Sequence, residues 1–267
     1  MRTYPLGMIT IEGPGDHEDQ VYKELDTILL NPVGKILLQF IYATQLNHIP
    51  PKNLKIVPYT GLWDNNSASP PDDRDAASPD LPDYFNDEDD DLRTPEIDER
   101  YNTSGRKGTG KGSDVKIEHS PSRYMARLPD EGLFHELVHG LREMEGAFHA
   151  IPTTKGHVDW KDEEEWLAIL LTNVYTSAKP STRLRGFNHM TWEKLEENWS
   201  TSAGLLTDDY HLTLLNIYGA MNRQLFWAIA GIPADFNPMR ELYILNPKKY
   251  VGRRAAPVVP TPDRPTR

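Results

Sequence analysis

The chain has 267 residues, a net charge of −11 from 29 Lys and Arg against 40 Asp and Glu, 38% hydrophobic residues and no cysteine. The missing cysteines exclude disulfides, thiol nucleophiles and thiolate metal sites. No run approaches the roughly 18 apolar residues of a membrane span and no signal-peptide pattern opens the chain, so a soluble protein with no membrane span and no nucleic-acid partner is expected.

In chain order, residues 8–12 alternate like a short strand. Residues 16–30 read as a helix with Val21, Leu25, Ile28 and Leu29 on one side. Residues 32–45 read as a second helix that starts at Pro32 and buries Leu37, Leu38 and Ile41. Residues 53–59 read as another strand. The acidity is then local: residues 64–99 hold fourteen Asp or Glu against Arg74 and Arg93, a net of −12, which leaves +1 for everything else. Residues 62–112 therefore read as an acidic, Gly/Pro-rich disordered insertion, a solvated spacer in which Tyr84 and Phe85 are the apolar anchors on offer. Gly105 to Ser113 imitates a phosphate-binding loop, but glycine follows Lys111 where Ser or Thr is needed, and no helix follows it; it reads as linker. Residues 114–119 alternate like a strand.

The next helix carries the strongest signal. Pro129, Asp130 and Glu131 form a sound first turn and Gly146 a stop; between them Leu133, Leu137, Leu141 and Met144 make one apolar stripe, widened by Phe134 and Val138. Within it His135, Glu136 and His139 spell the H-E-x-x-H pattern. Histidines at i and i+4 stand about 5–6 Å apart at Cβ on one helix face, so both rings reach one zinc ion. Glu136 is placed to take a proton from a water on that metal without ligating it. Catalytic zinc needs a third protein ligand. Arg142 and Glu145 stand where a glycine and a third histidine would extend the motif, and His149 and His157 lack helical spacing. The better candidate is Glu165, in an acidic start to a second apolar helix through Ile169, Leu170, Leu171, Val174 and Tyr175. Its i+3 and i+4 neighbours, Ala168 and Ile169, turn it toward a buried face, where an unpaired carboxylate is costly and a cation offsets that cost. Glu164 is the alternative ligand, or a neighbour that orients a ligating histidine.

Beyond these, Thr191 caps a helix over 192–199, and Thr207 and Asp208 start one long helix ending near Gly231. Arg240 and Tyr243 form an Arg-x-x-Tyr pattern, and residues 253–267 read as a disordered Pro-rich tail. Residues 1–61 and 113–252 then make one catalytic domain around the insertion.

His135-Glu136-Leu137-Val138-His139 followed by Glu164-Glu165-Trp166-Leu167-Ala168 resembles the gluzincin pattern, shared more distantly by clostridial neurotoxin light chains. The closer resemblance is to the NleD-type effector metalloproteases, through this pair, the amino-terminal helix with Asn31 to Leu38, and Gly112 to Ile117. That resemblance implies an α+β zincin-like fold, mostly helical with a small sheet beside the active-site helix. It implies a zinc-dependent endopeptidase with His135, His139 and Glu165 on Zn2+, Glu136 as general base, and Arg240 or Tyr243 steadying the oxyanion, Arg183 and Arg185 being other donors. It further implies that residues 115–119 form the cleft edge on which a substrate strand lies. The protein would be made in the bacterial cytosol and delivered by a secretion system to cut a protein of a target cell, with secretion, chaperone or immunity partners. Two rival readings share the motif: a non-catalytic protein-binding module with a structural zinc, and a zinc hydrolase of non-peptide substrates.

Overall fold

The computed structural model describes residues 1–61, 66–71, 73–79, 108–121, 128–148, 163–180, 183–186 and 194–251. They fall into two units, Met1–Leu195 and Glu196–Arg267. In the first, β1 (Arg2–Tyr4) and β2 (Ile9–Ile11) precede α1 (Gly15–Leu30), α2 (Pro32–Asn47), β3 (Leu54–Pro58), β4 (Ser67–Ser69) and the short α3 (Asp73–Ala76). Then come β5 (Val115–His119), α4 (Pro129–Met144) and α5 (Glu163–Ser177).

Helix α1 buries His17, Val21, Leu25 and Ile28, the i, i+4, i+3 spacing of one face. It ends where α2 begins because Asn31 caps α2: its Oδ1 accepts from the backbone N–H groups of Val33 (2.9 Å) and Gly34 (3.3 Å). The corner is tight enough to require glycine, since a Cβ on Gly34 would stand 2.1 Å from the Ile28 carbonyl oxygen. The Asn31 amide also donates to the Tyr175 carbonyl on α5 (3.0 Å), fixing the corner to the helix that carries Glu165.

The strands form one sheet in the order β1-β2-β3-β5-β4. β2, β3 and β5 are parallel, while β1 and β4 pair antiparallel at the two ends. On β5, Val115, Ile117 and His119 are buried, whereas Lys116 is exposed and Glu118 half-buried. This alternation, and that of Leu54 and Ile56 on β3, gives an apolar face on which α4 packs. The α+β class with a small sheet beside the histidine-bearing helix is borne out.

Two expectations change. Val115–His119 is not a cleft edge, because β3 occupies one side of it and β4 the other; among the described residues the terminal strand is β4, with Ala68 opposite Ile117. β4 and α3 lie inside the stretch read as a disordered insertion, which therefore contributes structure at 66–71 and 73–79; residues 80–107 of it lie outside the described residues. The Ser67–Ser69 strand arises from pairing to β5, since three small residues carry no strand preference of their own.

In the second unit a 3-10 turn (Glu197–Trp199) leads to α6 (Ser202–Leu205), α7 (Asp209–Met221), α8 (Arg223–Ala230) and α9 (Pro238–Arg240). A five-residue π turn (Glu241–Leu245) and α10 (Pro247–Tyr250) follow. Asp208 caps α7 through the Tyr210 and His211 amides. The helix expected to run unbroken to Gly231 is interrupted at Asn222, whose backbone (φ −117°, ψ 44°) leaves the helical region. Of the helix expected at 192–199, residues 191–193 lie outside the described residues and Lys194 bridges to Arg185 instead, leaving the single turn 197–199. The tail from 252 onward also lies outside the described residues. No single helix among the described residues is long and apolar enough to cross a membrane.

Candidate metal centre

Helices α4 and α5 run antiparallel and are pinned at both ends. At the start of α4, Phe134 stacks on Tyr175 (ring centroids 4.3 Å apart, 11° between planes), and the Asp130 carboxylate accepts from the Tyr175 hydroxyl and from Lys179 Nζ. At its end, Arg142 meets Glu164: Nη2 to Oε1 2.7 Å, Nε to Oε1 3.1 Å and to Oε2 3.2 Å. Arg142 Nη2 also donates to the Ala147 carbonyl just past the helix. There Gly146 adopts φ +65°, and a Cβ on it would meet the Gly110 carbonyl carbon at 2.4 Å, so only glycine turns the chain at this point.

These two clamps bring Glu165 opposite the histidine pair. The Nε2 atoms of His135 and His139 are 3.2 Å apart, and Glu165 Oε2 lies 3.1 Å from the first and 3.6 Å from the second. Donors held tetrahedrally on a metal at about 2.0–2.1 Å stand roughly 3.3 Å from one another. The three observed separations bracket that value. Two imidazole nitrogens gain nothing by facing each other at 3.2 Å unless a proton or a cation lies between them, and all three side chains are buried. The residues thus fit a divalent ion with one coordination position left open, and His135, His139 and Glu165 form a group that could hold it.

The electrostatics agree. Burial pushes His135 down to about 3, against the pull of Glu165. At His139 the same burial is outweighed by Glu165, with Glu136 and Glu164 adding to it, and the ring is raised to about 10. The Glu165 carboxylate thus favours positive charge beside the ring pair, the charge that a divalent ion would supply. Glu136 is buried and burial raises its pKa; the charge of His139 and a hydrogen bond from the Ala68 backbone N–H pull the other way, while Glu165 adds to the rise. A carboxylate that gains a proton more readily than usual suits a general base that must later release it.

Glu164 does not sit on a histidine. It is fully buried against Arg142, and among the described residues neither Nδ1 of the histidine pair has a hydrogen-bond partner. The expectation that Glu164 orients a ligating ring gives way to a structural ion pair. His149 and His157 lie outside the described residues. Arg240 and Tyr243 belong to the second unit, where Arg240 Nη1 reaches the Ala230 and Gly231 carbonyls (both 3.4 Å) and the Tyr243 hydroxyl donates to the Leu215 carbonyl (3.2 Å). Arg185 is in the first unit: it is buried, Asn173 of α5 brackets its backbone (2.7 and 2.8 Å), and its charge acts on His135.

Three contributors escape sequence reasoning. Ala68 acts through its backbone and carries no chemical signature. The ring of Phe148 stands 6.1 Å from that of His139, on a segment with no periodicity. Arg142 could have been found, because a cation on so apolar a helix demands a buried acid.

No curated protein and no solved structure matches the chain. A family model described as effector protein, Peptidase_M91, matches residues 6–184, a span that takes in β2 to β5, the histidine pair and Glu165. With that span covering well over half of the sequence, the chain belongs to the Peptidase_M91 family of effector peptidases.

Proposed function

We propose that the protein is a zinc-dependent endopeptidase, a bacterial effector that hydrolyses a peptide bond in a protein of the cell it enters. The observation that carries this reading is the convergence of His135 Nε2, His139 Nε2 and Glu165 Oε2 at 3.1–3.6 Å beside a carboxylate that does not belong to the triad of donors. Zinc in that position would polarise the scissile carbonyl and lower the pKa of a water toward about 7. Glu136 takes the proton from the attacking water and passes it to the leaving amine. The Ala68 amide holds that carboxylate in line. The substrate strand, expected on residues 115–119, is assigned instead to the outer side of β4, the strand that touches Glu136. Arg240 and Tyr243 are kept as oxyanion donors on the Arg-x-x-Tyr pattern alone; Arg185, whose charge acts on His135, is the other donor proposed.

Metal analysis of the purified chain tests the reading first. About one zinc per chain is expected, lost on replacing His135, His139 or Glu165. Wild-type protein that takes up no stoichiometric metal would favour the non-catalytic binding module.

A further inference from the structure

His119 ends β5 with its ring fully buried between α1 and the residue that leads into β4. Its Nδ1 lies 3.0 Å from Asn66 Oδ1, and its Nε2 lies 2.6 Å from Glu24 Oε2 on α1. An oxygen faces each nitrogen. The Asn66 oxygen also accepts the Ser120 N–H (3.0 Å), which fixes the orientation of that amide, so Nδ1 donates to it. On the backbone side the His119 carbonyl accepts from Tyr59 N–H (3.2 Å) and from His17 Nε2 (3.2 Å). The ring is thus held by α1 on one side and grips the residue before β4 on the other.

That grip matters because β4 is short. Three paired residues at the end of a sheet are weakly held by their ladder alone. Yet a shift by one residue would turn Ala68 over and take its amide away from Glu136. Asn66 is one residue upstream of this strand, and its side chain adds to the Ser67–Glu118 pairing in tying the entry of β4 to the end of β5.

We infer that His119 is a positioning residue: by bridging Glu24 and Asn66 it sets the register of β4, and so places the Ala68 amide and the substrate-bearing edge against Glu136. Both ring nitrogens of a buried histidine need partners, and here those partners join a helix, an interior strand and a terminal strand at the point where that strand meets the base. The inference rests on the reading of Glu136 as the base only for its catalytic consequence. The register itself is independent of it.

The test is amide hydrogen exchange on the full zinc-loaded chain, comparing wild type with His119→Phe, His119→Gln and Asn66→Ala. Loss of the bridge is expected to speed exchange of the Ala68 and Ser69 amides about tenfold or more in His119→Phe and Asn66→Ala. Val115 to Ile117, the α4 amides and the zinc content should stay at wild-type values. His119→Gln, which still donates from an amide, should recover part of the protection. Wild-type exchange at Ala68 in His119→Phe would overturn the inference. So would equal acceleration of β4, β5 and α4, which would mean that the ring only supports the fold. Should His119→Phe fail to fold, Asn66→Ala decides alone, because it leaves the ring and Glu24 in place. The readout needs no turnover: a wild-type chain without zinc or proteolysis would defeat the proposed function while leaving the strand measurement to stand or fall separately.

Discussion

Replacing Glu164 and Glu165 one at a time separates fold from chemistry at adjacent positions. Glu164 is fully buried and makes three contacts of 2.7–3.2 Å with Arg142, itself 1% exposed. Removing one partner of such a pair takes the nearest carboxylate from a buried guanidinium, at a cost of about 3–5 kcal/mol. For a chain of this size each kcal/mol moves the midpoint by roughly 2–4 °C, so Glu164→Ala should melt roughly 6–20 °C below wild type. Glu165 faces the two imidazole rings, so Glu165→Ala should lose zinc while leaving the Arg142–Glu164 pair in place. Joint replacement of Arg142 and Glu164 by Met should recover most of the loss, because neither charge then remains buried alone. The assay is thermal unfolding with and without chelator, paired with metal analysis well below the midpoint. A Glu164→Ala protein that is as stable as wild type but lacks zinc would refute the reasoning and make Glu164 the ligand.

Three other substitutions test the frame around the centre. His139→Ala should abolish stoichiometric zinc binding while leaving far-ultraviolet circular dichroism unchanged, since the ring points into the donor cluster rather than into the apolar core. Gly146→Ala should destabilise by more than about 1 kcal/mol in denaturant unfolding, as φ +65° and a 2.4 Å approach to Gly110 must both be relieved; an unchanged midpoint would contradict the tight turn. Tyr175→Phe keeps the stacking on Phe134 but removes a donor from buried Asp130, so a loss of about 1–3 kcal/mol is expected, and none at all would show that Lys179 suffices for that carboxylate.

The placement of α4 was legible because periodicity, the proline start and the glycine stop all act within one helix length. Glu165 was legible by the same local logic, its i+3 and i+4 neighbours facing the interior. The role of Glu164 was not, because its partner Arg142 sits 22 residues away and belongs to a helix whose sequence advertises histidines. β4 was hidden by composition. Ser67-Ala68-Ser69 stands among acids and prolines that argue for a solvated spacer, and only pairing with Lys116 to Glu118 makes it a strand. The same strand displaced β5 from the edge, so the expected substrate side moved with it. The Glu24–His119–Asn66 bridge spans separations of 95 and 53 residues, and no spacing rule reaches that far. In the second unit the leucine periodicity through 212–229 is continuous, and only the backbone of Asn222 divides it.

The most direct test is to map new protein termini in a cell lysate after treatment with wild-type chain and with Glu136→Gln, each carrying the same measured zinc. General-base removal should lower turnover by about 10²–10⁴-fold, so the account predicts a defined set of new termini from the wild type and almost none from the variant. The same termini at comparable rates from both preparations would contradict it.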